Sequence, residues 1–341
     1  MPTLAAWLHD IDPFVFRVTD DFGPRWYGMA YIVGFVAAWL LFRTLAKRGK
    51  ALLEPVQAFD LVFAIAIGVL LGGRLGYILI YQPSLLVELT ASAPWWGVLR
   101  INQGGMASHG GMVGVILACA WYGRRIKVPA LHLLDLVALA APIGLFAGRI
   151  ANFINGELLG KIVANPGEPS PWWSVKFPQE ILTDHASGRT PEQEYELLRL
   201  LETQAIAADG NDLVPAAART IEGVQRGDSQ LAEQLAPLLS ARAPSQLFQA
   251  LAEGLILFAV LWVIWAAPRK PGVVGSWFLI CYGALRVVTE VWRLPDDHLA
   301  NPLLLGMSRG QWLSAAMVLI GFVAMRIVTK RSVERIGGWR S

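Results

Sequence analysis

The chain has 341 residues, 55% of them hydrophobic and only 16% charged. That balance excludes an ordinary soluble domain and reads as an all-α polytopic membrane protein. A formal net charge of +3 gives no indication of a nucleic-acid partner. Cys119 and Cys281, the two cysteines, both lie in apolar runs, so neither a disulfide framework nor a metal-ligand set is expected, and no cofactor is implied.

In chain order, residues Met1–Pro24 are mixed in character and are expected outside the bilayer. The first basic residue is Arg17 and no basic segment precedes a short apolar core, so the first spanning helix is expected to act as an uncleaved anchor. Apolar runs of membrane-spanning length then fall near Arg25–Phe42, Phe59–Tyr81, Gly111–Tyr122, Leu131–Ile154, Leu247–Trp265, Val273–Trp292 and Gln311–Val328. They predict seven transmembrane helices, which places the termini on opposite sides.

Basic residues cluster after the odd-numbered helices: Arg43, Lys47 and Arg48, then Arg124, Arg125 and Lys127, then Arg269 and Lys270, then Lys330 and Arg331. The positive-inside rule therefore puts the N-terminus out and the C-terminus in. Tryptophans such as Trp26, Trp95, Trp172 and Trp292 gather at the opposite ends, as an interfacial belt does. Three parts follow: 1–155 with helices one to four, 156–244 as an extracytoplasmic head, and 245–341 with helices five to seven and a cytoplasmic tail. Within the head, Glu192–Ile206 and Ala217–Leu239 read as helices. Pro191–Leu239 carries no cluster of catalytic residue types, so it reads as a solvated insertion rather than a substrate-facing surface.

The polar residues inside the apolar runs are the candidates for chemistry. A charged side chain in a spanning helix is expensive and points to a partner or a pocket. Arg149 and Asn152 are three apart, Gly156 lies four further on, and at about 100° per residue all three share one face of the fourth helix. Asp135 falls close to that face. On the sixth helix Tyr282, Arg286, Glu290 and Arg293 also share a face. Glu290 is expected to pair with Arg286 and Arg293, leaving one excess positive charge suited to an anionic ligand. Arg286 sits about 10 Å below the helix end at 1.5 Å per residue. His109 opens the third helix between Gly104-Gly105 and Gly110-Gly111, where close approach of a ligand is sterically allowed; histidine is the natural base near neutral pH. His9 and His298 read as loop residues and His185 as part of the insertion. Gly72-Gly73-Arg74 on the second helix reads as a close-packing element. Four helices with polar anomalies near their outer ends suggest one cavity open to the outer leaflet.

The segment from Gly148 to Gly160 resembles the G-R-x-x-N-F-x-N-x-E-x-x-G sequence of the prolipoprotein diacylglyceryl transferase family. Gly148, Arg149, Asn152, Phe153, Asn155, Glu157 and Gly160 match every fixed position. Trp26-Tyr27-Gly28, Gly105 to Gly111 around His109, Pro244-Ser245-Gln246-Leu247, and Tyr282 through Arg293 are similar to further segments of that family. Departures stand at Ala243, Phe248 and Gln249, where the family usually has histidine, tyrosine and glutamate.

The resemblance implies transfer of the sn-1,2-diacylglyceryl group from phosphatidylglycerol to the lipobox cysteine thiol of a prolipoprotein. Glycerol phosphate is released, at the outer face of a bacterial cytoplasmic (inner) membrane. Phosphatidylglycerol, prolipoprotein lipobox segments and the lipid bilayer are the expected partners. Arg149 and Arg286 are expected to hold the phosphate and His109 to act as base. Asn152, Asn155, Glu157 and Gly160 would position substrate or hold the loop, Tyr27 and Tyr282 would donate hydrogen bonds, and Glu290 and Arg293 would orient Arg286. A transporter or channel for an anionic solute is the competing reading; it favours inverted repeats and midplane polar groups.

Overall fold

The computed structural model describes residues 6–19, 22–91, 94–100, 104–183, 188–206, 212–294, 303–304 and 306–340. His185 and His298 lie outside them. The chain divides into two compact units, Met1–Val33 with Pro142–Leu257 and Cys281–Val318, and Gly34–Ala141 with Phe258–Ile280 and Leu319–Ser341. Its elements begin with strand β1 (Trp7–Leu8) and helices α1 (Trp26–Lys47), α2 (Gln57–Ile80), α3 (Ser108–Ile126) and α4 (Ala130–Asn155). Strands β2 (Ile162–Ala164) and β3 (Val175–Lys176) and helices α5 (Pro191–Ile206), α6 (Leu213–Gln225) and α7 (Ser229–Leu235) follow, then strand β4 (Ala241–Arg242). Helix α8 (Ser245–Gln249) runs through a π-helical stretch, Ala250–Ile256, into α9 (Leu257–Trp265). Helices α10 (Val273–Thr289) and α11 (Arg309–Lys330) complete the chain, with β5 (Leu303–Leu304) and β6 (Met307–Ser308) between them.

Among the described residues, six helices are long and apolar enough to cross a membrane: Trp26–Lys47, Gln57–Ile80, Ala130–Asn155, Ser245–Trp265, Val273–Trp292 and Gly310–Lys330. The chain is a mostly helical, multi-pass membrane protein. Helix α3 forms where the third apolar run predicts one, but its glycines and closing Arg124 and Arg125 keep it outside that set. It ends where Lys127 adopts the left-handed conformation, φ 58°, just before Pro129.

In the second unit, α2 and α3 pack backbone to backbone. A Cβ on Gly72 would strike the Gly110 carbonyl, and one on Gly114 the Gly68 carbonyl, so only glycine permits this approach. Arg74 of α2 is buried and donates to four carbonyls: Gly97 (2.7 Å), Val98 (2.8 Å), Gly104 (2.9 Å) and Gly105 (3.1 Å). The Gly72-Gly73-Arg74 segment is thus a packing element, as its composition suggested. Gly110, read as clearance for a ligand beside His109, is instead clearance for α2. Buried Asp135 of α4 accepts from the Gly272 and Gly275 amides, both at 2.7 Å, and so caps the start of α10.

The first unit contains the head, which is not purely helical. Its four short strands pair in the order β1-β3-β4-β2; β1 runs parallel to β3, and the other pairs are antiparallel. The expected helix over Ala217–Leu239 is broken, because the Asp228 carboxylate caps a new helix by accepting from Gln230 and Leu231. Leu197, Leu201, Val224, Leu235 and Leu239 form a core of their own, packed also on Leu8 and Ile181. At about 1.5–3 kcal/mol per buried leucine, this insertion carries its own stabilisation. His9, expected in a loop, is fully buried against Phe153 (ring centroids 5.3 Å) and Phe177 (5.1 Å), and burial holds its imidazole below the ordinary histidine range.

Candidate functional site

The first unit brings the charged residues of α4, the π-helical stretch and α10 into one network. Its centre is Glu253, fully buried in the π-helical stretch. A carboxylate there must be paired to remain charged. Arg149 donates to Glu253 Oε2 from Nε (3.2 Å) and Nη2 (2.9 Å). Arg286 Nη1 donates to Glu253 Oε1 at 3.1 Å, and the Thr289 hydroxyl to the same oxygen at 3.2 Å. Neighbouring Gly254 makes the approach possible, since a Cβ there would lie 2.6 Å from that of Phe146, one turn before Arg149.

On the far side of Arg286, its Nη2 lies 3.0 Å from Glu290 Oε2, with Arg293 Nη1 3.9 Å from that oxygen. The pairing expected along α10 is present, and Glu253 extends it to a second helix. Tyr282 interacts with Arg149. Three arginines (149, 286, 293) against two glutamates (253, 290) leave one excess positive charge, so the network retains electrostatic room for one anion.

The loop closing α4 is tied down separately. Asn152 Nδ2 donates to Glu157 Oε2 and Asn155 Nδ2 to Glu157 Oε1, each at 3.1 Å. Gly156 makes the turn with φ 66°. Gln246 Nε2 donates to the Glu157 carbonyl and Ser245 Oγ to that of Leu158 (3.0 Å). Gly160 packs against the Ala243 carbonyl, leaving no space for a Cβ, and forms an isolated bridge with Arg293. Fully buried Arg242 spans this loop and the head, donating to the Gly160 carbonyl (3.2 Å) and Glu180 Oε2 (2.6 Å). Glu157 therefore holds the loop's shape, and the loop connects back to the end of α10.

A model of the prolipoprotein diacylglyceryl transferase family matches residues 13–327. The chain belongs to the prolipoprotein diacylglyceryl transferase family. It is 43% identical over 348 aligned positions to the phosphatidylglycerol–prolipoprotein diacylglyceryl transferase of Bdellovibrio bacteriovorus, covering 98% of this chain and 97% of that protein. The proteins of the same name from Burkholderia thailandensis (38% identical; 92% of this chain, 95% of that protein) and Xylella fastidiosa (35%; 92% of each) are similar along nearly the whole length.

Of the residues expected from the sequence of this family member, Arg149, Asn152, Asn155, Glu157, Gly160, Tyr282, Arg286, Glu290 and Arg293 all lie in the first unit, in the two clusters just described. Tyr27 also belongs to that unit, where its ring meets Tyr31 edge-on at 5.6 Å. His109 belongs to the second unit; it is exposed at one end of a largely apolar groove of about 1040 Å³ along α2 and α3. Asp135 belongs there too and is committed to its cap. At the positions departing from the family, Phe248 packs between the rings of Trp173 (6.3 Å) and Trp292 (5.7 Å), and Gln249 is fully buried.

The network's central residue, Glu253, escaped the sequence reading. It is the lone carboxylate of the Leu247–Trp265 run, and its intramembrane position was a usable signal. Arg242 and Glu180 offered none, because they are 62 positions apart in a polar region.

Proposed function

We propose that this transferase moves the sn-1,2-diacylglyceryl group of phosphatidylglycerol onto the lipobox cysteine thiol of prolipoproteins, the first step of lipoprotein maturation. The observation that carries this reading is the Arg149–Glu253–Arg286 bridge, with its excess positive charge set among apolar helices. An anionic phospholipid needs cations at headgroup depth, and the planar guanidinium fork suits phosphate oxygens.

In the reaction the thiol gives up its proton, and the sulfur attacks the glyceryl carbon bonded to the phosphate oxygen. A carbon–sulfur bond forms, the carbon–oxygen bond breaks, and glycerol phosphate departs with the electron pair. Arg149 and Arg286 hold the phosphate and stabilise charge on the departing group. Glu290 and Arg293 orient Arg286, while Asn152, Asn155, Glu157 and Gly160 shape the adjoining loop. Tyr27 and Tyr282 donate hydrogen bonds, and His109 accepts the thiol proton.

The membrane arrangement belongs to the same proposal. Seven helices, α3 among them, cross the bacterial inner membrane, with the N-terminus and the 156–244 head outside and the 245–341 part ending inside. A C-terminal reporter that fluoresces only in the cytoplasm should give signal; a dark, stably inserted fusion would overturn the orientation.

The activity is tested with purified protein, phosphatidylglycerol and a lipobox peptide. Release of glycerol phosphate together with a thioether on the peptide cysteine is expected. An inserted, folded protein that yields neither would refute the reading.

A further inference from the structure

Gln249 is fully buried, yet neither atom of its side-chain amide has a hydrogen-bond partner among the described residues. A buried primary amide carries two N–H donors and an acceptor oxygen, and leaving all of them unmade is unfavourable. Such a group is completed by an ordered water or by a ligand.

Its place on the helix indicates what that occupant is. Gln246, Gln249 and Glu253 follow at intervals of three and four, on one side of the helix as it turns from α8 into the π-helical stretch. At one end Gln246 holds the Glu157 carbonyl; at the other Glu253 binds Arg149 and Arg286. Gln249 stands between them, about one helical turn, or roughly 5.4 Å along the axis, from Glu253, which binds the arginines. Unpartnered buried atoms recur nearby: Gln246 Oε1, Asn155 Oδ1 and both amide atoms of Gln179, which packs against Gly156. The arginine end offers positive charge, whereas this end offers neutral groups that donate and accept together.

We infer that Gln249 is a specificity-determining residue that hydrogen-bonds the hydroxyls of the lipid's terminal glycerol while the arginines take the phosphate. This rests on the phosphatidylglycerol reading above and deepens it. A hydroxyl is itself donor and acceptor, which matches an amide. One turn of helix is the span between a phosphodiester and the far hydroxyl of its glycerol. An ammonium headgroup would call for an uncommitted carboxylate here, and the adjacent ones, Glu157 and Glu253, are engaged by Asn152, Asn155, Arg149 and Arg286. Glutamine at this position, in place of the usual family glutamate, presents no negative charge to the phosphate.

The test compares phosphatidylglycerol with phosphatidylpropanol, which keeps the phosphodiester and its charge but has no headgroup hydroxyl. Wild-type protein and Gln249→Met, similar in size but without the amide, are assayed for binding of each lipid by tryptophan fluorescence and for transfer to a lipobox peptide. Wild type should favour phosphatidylglycerol. The variant should lose at least about tenfold in kcat/KM on it while changing by less than about threefold on phosphatidylpropanol. Should Gln249→Met fail to fold, Gln249→Asn carries the test; its shortened amide should reduce the preference partway.

Equal losses on both lipids would overturn the inference and make Gln249 a structural or water-binding group, as would a wild type indifferent to the hydroxyls. Transfer that proceeds with an unaltered preference in the variant sinks the subsite and leaves the transferase reading intact. A binding preference that depends on Gln249, with no transfer by wild type, upholds the subsite and removes the transferase reading.

Discussion

Glu253→Gln tests the central bridge directly. The substitution preserves size and removes one negative charge from a fully buried position contacted by Arg149 at 2.9 Å and Arg286 at 3.1 Å. Both guanidiniums are largely buried as well, at 15% and 11% side-chain exposure, so solvent screens them little. Breaking a buried ion pair by removing one partner costs about 3–5 kcal/mol. At roughly 2–4 °C per kcal/mol that is an apparent Tm lower by on the order of 10 °C. Charge bookkeeping adds a second expectation. With Glu253 neutral the five-residue network carries +2 instead of +1, so an anionic lipid should offset more of the loss than it adds to wild type. The assay is thermal unfolding of purified protein in neutral detergent, with and without phosphatidylglycerol, and with phosphatidylcholine as a control. A Tm within about 2 °C of wild type would show that Glu253 does not hold the arginines. Equal rescue by both lipids would refute the reasoning about excess charge.

Arg149→Lys and Arg286→Lys keep the charge but lose the fork, so each should lower transfer per folded molecule by on the order of tenfold or more; near-normal turnover would remove the clamp. The double alanine variant should lose less than the sum of the singles, since both arginines act on one phosphate. For His109→Gln, transfer should fall by about two to four orders of magnitude, with partial recovery at higher pH, where more of the peptide thiol is ionised. No recovery with pH would reassign His109 to binding or packing. Burial holds His9 below its ordinary pKa of about 6.5, so the unfolded chain takes up a proton there that the folded chain resists. Its stabilising contribution is full above that pH and lost as pH falls below it. His9→Phe should therefore narrow the Tm difference between pH 7.5 and 5.5; an unchanged difference would place the acid sensitivity elsewhere.

Much of the membrane part is legible in the amino-acid order because its causes are local. Apolar length sets a spanning helix, so the predicted run Leu131–Ile154 lies within Ala130–Asn155 and Val273–Trp292 is found as Val273–Thr289 with a closing turn. Spacing of three and four residues places Arg286, Glu290 and Arg293 on one face, and their pairing follows without tertiary information. The Asn152–Asn155–Glu157 contacts also arise within one short segment.

Tertiary structure decides what depends on partners distant in sequence. Which charge neutralises Arg149 is settled by Glu253, 104 positions away, brought in by the π-helical stretch and the absence of a side chain at Gly254. Asp135 reads as part of a polar stripe, yet it serves the amides of Gly272 and Gly275, because an unfilled helix start attracts a buried carboxylate more strongly than periodicity can indicate. Gly110 reads as room for a ligand and proves to be room for α2. Helical periodicity reports which face a residue occupies, but what packs against that face is fixed only when non-local segments meet and their buried charges and amides must find partners.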